Sequence, residues 1–281
     1  MNIVLAHGIL GFKTVLGIEY FNGIKEHLVK TFQAQVLVTE VDPVKSIKDR
    51  GAELRNQILA ALGKTGTLPT LNAKENVHII AHSMGGLDSR LILSPRNPDN
   101  IASVVSSLTT VGTPHNGSPA ADLCVSFVDG KSPIPAIGTI ERKINDSIQK
   151  LGISLDGLRD LTTTSATNFN KDNIDNPGVR YFCVAGQGRR FSLTRLLRLD
   201  FAKTSLFLLP FHEYMKLNTG EENDGVVAIT SAQRPGWKVI SDPWPADHFE
   251  EVGHNIDRGP TGKPTQFDFL RGYENIIANA R

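Results

Sequence analysis

Apolar positions along the chain follow two rhythms. Short β-branched runs occur at Ile3 to Ala6, Gln35 to Thr39, Val77 to Ala81, Val104 to Val111 and Arg180 to Ala185. Between the second and third of these, from Lys45 to Leu62, the apolar residues Leu54, Ile58, Leu59 and Leu62 fall at helical spacing. Strands that are apolar throughout and separated by helices predict a mostly parallel sheet with both faces covered, an α/β architecture. In such sheets ligands bind beyond the carboxyl ends of the strands, so the loops after these runs are where chemistry is expected.

One stretch departs from the alternation. From Leu123 to Leu155 no strand is predicted, while Ile137, Ile140, Ile144, Ile148 and Leu151 repeat every three or four residues and Glu141, Arg142, Lys143, Asp146 and Lys150 take the opposite face. The pattern predicts an amphipathic helix inserted between strands. There is no internal repeat, low-complexity tract or clear interdomain linker, and 281 residues fit one large domain or two small ones.

Composition narrows the function classes. Thirty Lys and Arg against 29 Asp and Glu leave a net charge of +1, which provides no electrostatic reason for a nucleic acid or an anionic membrane as main partner. Cys124 and Cys183 lie in no metal-ligand or disulfide pattern and are read as buried thiols. The first run begins almost at Met1, so no signal peptide is visible, and the expectation is a cytoplasmic chain or one exported without a leader. The longest apolar run, near Leu206-Phe207-Leu208-Leu209, is far too short for a membrane span.

The candidate chemistry centres on Val77-His78-Ile79-Ile80-Ala81-His82-Ser83-Met84-Gly85-Gly86. A serine hydroxyl is a poor nucleophile until a base takes its proton and donors hold the oxyanion that follows attack. A sharp strand-to-helix turn presents it to both, and the crowding there requires small residues two before and two after the serine, here Ala81 and Gly85. This is the nucleophile-elbow pattern, with Ser83 as nucleophile. The oxyanion donors expected with it are the backbone N–H of Met84 and one from the loop His7-Gly8-Ile9-Leu10-Gly11-Phe12, at Ile9. Asp224, in the turn Asn223-Asp224-Gly225, is the candidate acid by chain order. Two histidines compete for the base. His248 lies in Asp247-His248-Phe249-Glu250-Glu251, and His254 in Val252-Gly253-His254-Asn255; local pattern leaves the choice open. His7 and His82 are read as orienting their loops, and His27, His78, His115 and His212 as structural.

These segments together resemble the α/β-hydrolase lipases of the bacterial family that includes the Pseudomonas, Burkholderia and Proteus triacylglycerol lipases, and the resemblance spans nearly the whole chain. It rests on Leu5 to Phe12, Gly17 to Ile24, Val38 to Val41, Arg50-Gly51 with Leu54, Val111 to Ser118 with Ala121-Asp122, Leu158 to Thr163 with Phe169-Asn170, Asn223-Asp224-Gly225 and Asp247 to Val252. The resemblance implies an α/β-hydrolase fold over residues 1–281 with a helical lid inserted at about 118–165, within which the helix of Ile137 to Leu151 falls. It favours His248 as base. It implies a carboxylic ester hydrolase acting on acylglycerols through an acyl-enzyme, with a lipid or other ester substrate met at a lipid–water interface. The alternatives are a short-chain esterase, a phospholipase or a thioesterase on the same triad, or a non-catalytic binding protein of the same fold. No cofactor is required for the chemistry. Relatives bind a structural calcium near the catalytic histidine, and the matching positions here are Asp200 and Glu250, a glutamate where relatives have aspartate, with His254 in a glutamine position. The cysteines do not match the disulfide of the Pseudomonas type, and the start without a leader is similar to the Proteus type.

Overall fold

The computed structural model describes residues 1–9, 14–15, 18–131, 155–189, 204–205, 207–255 and 267–281. The predicted strands form: β1 (Asn2–Ala6), β4 (Gln35–Val38), β5 (Val77–His82), β6 (Val105–Val111) and β7 (Arg180–Val184). They agree with the runs read from the sequence to within a residue at each end. Val104 belongs to a short 3-10 turn rather than to β6. A two-residue strand, β8 (Lys238–Val239), completes a six-stranded sheet in the order β4-β1-β5-β6-β7-β8, every pair parallel. The early loop adds a separate two-stranded ribbon, β2 (Thr14–Val15) with β3 (Ile18–Glu19), antiparallel.

Successive side chains of a strand point to opposite faces, and the core divides accordingly. Val4 and Ala6 of β1 and Ile79 and Ala81 of β5 join Leu54 and Ile58 of helix α2 (Ile47–Ala61) and Ile92 of helix α3 (Met84–Leu93) on one face. Ile3, Leu5 and Ile80 face the other way, onto Ile24 and Leu28 of α1 (Ile24–Phe32) and Tyr273, Ile276 and Ile277 of the C-terminal helix. The residues of β1 are buried without exception, as a strand covered on both faces must be. Helix α2 starts at Ser46, whose hydroxyl accepts the Asp49 N–H at 3.2 Å. Its buried stripe of Leu54 and Ile58 recurs at the helical period.

After β6 come α4 (Pro119–Val128), α5 (Leu155–Asp160) and α6 (Thr163–Asp172); after β7 come α7 (Leu209–Thr219), α8 (Ile229–Ala232) and, last in the chain, α9 (Phe269–Ala280). The helix predicted from Ile137 to Leu151 lies outside the described residues, as do Asp200 and Leu206. Both cysteines are free, Cys183 fully buried and Cys124 partly so. Among the described residues no helix is long and apolar enough to cross a membrane.

Candidate active site

The carboxyl ends of β1, β5 and β6 lie side by side, and the site is assembled there. β5 ends at His82 and α3 begins at Met84, so the reversal falls on Ser83, which takes φ 56° and ψ −130°. A positive φ is costly for a residue with a Cβ and persists only where the surroundings impose it. Here they do: the Ser83 N–H donates to Val111 O at 3.0 Å, and the Ser83 carbonyl accepts the Gly86 N–H at 3.0 Å and the Thr113 hydroxyl at 2.8 Å. The two glycines answer to space. A Cβ on Gly85 would lie 2.5 Å from Ala6 O and 2.7 Å from His7 O, and one on Gly86 would overlap the Thr113 hydroxyl. Met84 is the first residue of α3, where N–H groups have no acceptor within the helix, and its side chain packs in the core with Ile47, Leu87 and Leu161.

The His7-Gly8-Ile9 loop is fixed by its own histidine. His7 Nε2 accepts the Val41 N–H at 3.2 Å, so Nδ1 carries the proton and donates to Gly8 O at 2.9 Å. Burial, with the Arg50 guanidinium nearby, lowers His7 to about 4, which keeps the ring neutral as this pattern requires. Because a trans peptide holds N–H and C=O antiparallel, fixing the Gly8 carbonyl also fixes the direction of the Ile9 N–H. Arg50 anchors the same loop, donating to His7 O at 2.8 Å and to Asp42 O at 2.7 Å while its Nε donates to Asp88 on α3 at 2.9 Å.

Asp224 and His248 reach Ser83 from the far end of the chain. His248 Nε2 is 3.0 Å from Ser83 Oγ, and His248 Nδ1 is 2.8 Å from Asp224 Oδ2. The other oxygen, Asp224 Oδ1, accepts the N–H groups of Val226 at 2.7 Å and Val227 at 2.6 Å, and the Asp224 carbonyl accepts the His248 N–H at 3.0 Å. The turn is itself ordered by Asn223, whose Oδ1 accepts the Gly225 N–H at 2.9 Å. With Asp224 accepting, Nδ1 of His248 is the protonated nitrogen and Nε2 is left to accept the Ser83 hydroxyl. All three side chains are nearly closed to solvent: Ser83 is 3%, Asp224 1% and His248 7% exposed. His254, the rival base, is directed elsewhere, donating from Nε2 to Tyr20 O at 2.8 Å.

His82 is not an idle neighbour. Its Nδ1 lies 2.6 Å from Tyr20 Oη and its Nε2 2.9 Å from Glu251 Oε2. Glu251, fully buried, also comes within 3.6 Å of His248 Nδ1. Two carboxylates therefore approach one imidazole in different settings. Asp224 receives two backbone N–H bonds, whereas Glu251 is pushed well above the usual carboxylate range by burial and by the charges of Asp224 and Asp247. The sequence assigns no role to Tyr20, Arg50, Asp88 or Glu251. The three-residue spacing of Glu251 from His248 is its only local signal.

Among the described residues one ring nitrogen each of His82 and His248 and the Glu251 carboxylate lie close enough together to hold a metal, but a metal there would take a nitrogen of His248 from its bond to Ser83 or Asp224. Of the calcium positions, Glu250 has Oε2 accepting the Asp247 N–H at 3.2 Å and Oε1 accepting the Asn255 amide at 3.3 Å, and Arg189 lines the small hollow beside it. Asp247 is likewise occupied, accepting N–H bonds from Ser205, Phe249 and Glu250. Both carboxylates receive N–H donors, and Asp200, the other predicted calcium position, lies outside the described residues.

A hydroxyl, an imidazole and a carboxylate are thus joined by hydrogen bonds at the ends of parallel strands, with a strained serine at a strand-to-helix turn, in a chain that is similar to known proteins over most of its length. Residues 56–175 match the model of the PGAP1-like alpha/beta domain. The chain is 30% identical over 277 residues to a triacylglycerol lipase of Vibrio cholerae, covering 89% of this chain and 78% of that one. The chain belongs to a bacterial lipase family of the α/β-hydrolase fold. A triacylglycerol lipase of Pseudomonas fragi is 27% identical, covering 90% of this chain and 87% of the relative. The crystal structure of Staphylococcus hyicus lipase superposes with a TM-score of 0.66 at 20% identity, over 99% of this chain and 94% of that one, and so bears on the fold alone. Membership of the lipase family makes this protein a carboxylic ester hydrolase of the serine class.

Proposed function

We propose that the protein hydrolyses acylglycerol esters through an acyl-enzyme, with Ser83 as nucleophile, His248 as general base and acid, and Asp224 as the carboxylate that orients the imidazole and balances its charge. The observation that carries this reading is the continuous path from Asp224 Oδ2 through His248 to Ser83 Oγ, 2.8 Å and 3.0 Å. His248 Nε2 takes the Ser83 proton as Oγ attacks the ester carbonyl, and the imidazolium so formed faces the Asp224 carboxylate. The carbonyl oxygen becomes an oxyanion held by the N–H groups of Ile9 and Met84. The imidazolium then gives its proton to the departing alcohol. A water, deprotonated by the same nitrogen, releases the fatty acid and restores the Ser83 hydroxyl.

The name triacylglycerol lipase borne by the Vibrio and Pseudomonas relatives supports acylglycerols as the substrate class. The amphipathic repeat of Ile137 to Leu151 supports a lid at about 118–165 that covers the site in water and meets lipid when open. The chemistry needs no metal. A calcium at Asp200 and Glu250 would serve only to hold the loop that carries His248.

The test is hydrolysis by wild type and Ser83→Ala over an acyl series from p-nitrophenyl acetate to emulsified triolein. Wild type is expected to retain activity on the emulsion, while Ser83→Ala loses at least about a thousandfold on every member. Full activity of the alanine variant would remove the serine mechanism. A collapse beyond short chains would remove the acylglycerol substrate and leave an esterase.

A further inference from the structure

Three polar side chains beside the triad, those of half-buried Tyr20 and buried His82 and Glu251, take no direct part in the acyl transfer. They form one chain of hydrogen bonds. The Gly8 N–H donates to Tyr20 Oη at 3.1 Å, Tyr20 Oη meets His82 Nδ1 at 2.6 Å, and His82 Nε2 meets Glu251 Oε2 at 2.9 Å, which stands 3.6 Å from Nδ1 of His248. The chain thus begins on the loop that carries Ile9 and ends beside the base. It passes behind the nucleophile, since His82 immediately precedes Ser83.

Three further features show that the fold makes room for it. Gly8 is packed against Ser83 so closely that a Cβ on it would lie 2.5 Å from Ser83 Cβ and 3.0 Å from both Ser83 Oγ and Tyr20 Oη. The phenol therefore stands at the nucleophile's own distance from Gly8. Gly112 and Gly186, at the ends of β6 and β7, form a slot for the Glu251 carboxylate; a Cβ at either would overlap one of its oxygens. Tyr20 is also held from its other end, because its carbonyl accepts His254 Nε2 at 2.8 Å, while the neighbouring Asn22 N–H donates to Val252 O at 3.1 Å. The segment around Tyr20 is thereby fastened to the turn that follows His248.

The direction of one bond in this chain is independent of where the protons sit. An N–H can only donate, so Tyr20 Oη accepts from Gly8 whether the hydroxyl donates to His82 Nδ1 and His82 donates to Glu251, or a protonated Glu251 donates to His82 and His82 to Tyr20. In both arrangements the Gly8 N–H is held by the phenol and the Gly8 carbonyl by His7, which leaves the Gly8–Ile9 peptide no freedom to turn. A buried acid is expensive to keep, and apolar residues of similar volume would pack at less cost. Its position between two histidines and two glycines points to a part in the reaction.

We propose that Tyr20 is a positioning residue of the oxyanion hole, and that Tyr20, His82 and Glu251 act as a single unit that aligns the Ile9 amide with the His248–Ser83 pair. The proposal rests on the reading of Ser83 and His248 as nucleophile and base. It assigns Tyr20 no contact with substrate; the phenol acts through Gly8.

Tyr20→Phe tests it, since the ring that packs on His7, Phe21 and His82 is kept and only the hydroxyl is removed. On p-nitrophenyl butyrate, kcat is expected to fall about 10- to 100-fold with KM within about twofold, because an oxyanion donor out of line costs transition-state and not ground-state binding. The inhibition constant of a trifluoromethyl ketone, whose serine adduct carries the oxyanion, is expected to rise by the same factor as kcat/KM falls. Glu251→Gln is expected to lower kcat as well, and the double variant to lose no more than about threefold beyond the larger single loss, as residues acting as a unit do. An unchanged kcat, a loss confined to KM, or multiplying single losses would overturn the proposal. Should Tyr20→Phe fail to fold, His82→Gln removes the other partner of the same hydroxyl and is read by the same criteria. Loss of activity in Ser83→Ala together with an unaffected Tyr20→Phe would sink this proposal and leave the serine mechanism standing; activity in Ser83→Ala would remove the mechanism beneath it.

Discussion

At the scale of single residues, the contest between two histidines shows what local context can and cannot say. His248 and His254 lie six positions apart in similar polar surroundings, yet one faces Ser83 at 3.0 Å and the other donates to the Tyr20 carbonyl. Replacing each by alanine should separate them. His248→Ala is expected to lose at least about a thousandfold in kcat. His254→Ala is expected to keep most of it and to lower the melting temperature, because it removes one hydrogen bond between two segments, worth about 1 kcal/mol. Equal losses in kcat would return His254 to candidacy as base. His82, which from sequence is an orienting residue, does orient its surroundings, but by joining the oxyanion loop to Glu251 and not by supporting its own turn.

At the scale of elements, the strand-turn-helix unit of β5, Ser83 and α3 was legible because its requirements are local. Ala81, Gly85 and Gly86 are demanded by crowding that any such turn produces, and the apolar run before them marks a strand covered on both faces. The same crowding gives a prediction for Gly85→Ala. The new methyl would press on the carbonyls of Ala6 and His7 at 2.5 Å and 2.7 Å, neither of which can swing away. A loss of about 1–3 kcal/mol in thermal or urea unfolding is expected, with activity falling further because the His7 carbonyl belongs to the loop that carries Ile9. Unchanged stability would mean that α3 can shift away from β1 without cost. Strand ends differed from the expected ones by a residue, as happens where the hydrogen-bond ladder and not side-chain character ends a strand. Strand β8 went unseen because two exposed residues, Lys238 and Val239, form no pattern of their own; their pairing with β7 comes only from the parallel register.

At the scale of the whole molecule, burial of ionisable groups links stability to pH. His7 is lowered to about 4, chiefly by burial, and His82 and His115 are held well below their ordinary value for the same reason. The unfolded chain takes up protons at these rings near pH 6.5 while the native state does not. The stability they contribute is therefore present above pH 6.5 and lost as the pH falls towards 4. Glu251, raised by burial, acts with the opposite sign: its contribution is present below the unfolded carboxyl value and declines as pH rises above it. Asp88, Asp160 and Asp247 are raised by burial as well and act with the sign of Glu251, so the share the histidines contribute, a loss of stability from pH 6.5 to 4, is read by difference between wild type and variant in urea titrations. His7→Asn should flatten that dependence by on the order of 3 kcal/mol. An unaltered slope would mean that His7 is protonated in the native state.

What the sequence by itself determined is what neighbouring residues impose on one another: the alternation of buried runs and helical stripes that makes a parallel α/β sheet, the small residues that surround Ser83, and the asparagine-ordered turn that presents Asp224. What only the tertiary structure decided is which distant groups meet. Ser83 and His248 are 165 positions apart and Tyr20 is 231 from Glu251, and no periodicity or turn signal carries information over such separations. The sheet brings the ends of β1, β5, β6 and β7 into register, and that register sets His248, and not His254, against Ser83 and joins Tyr20, His82 and Glu251 into one chain behind it.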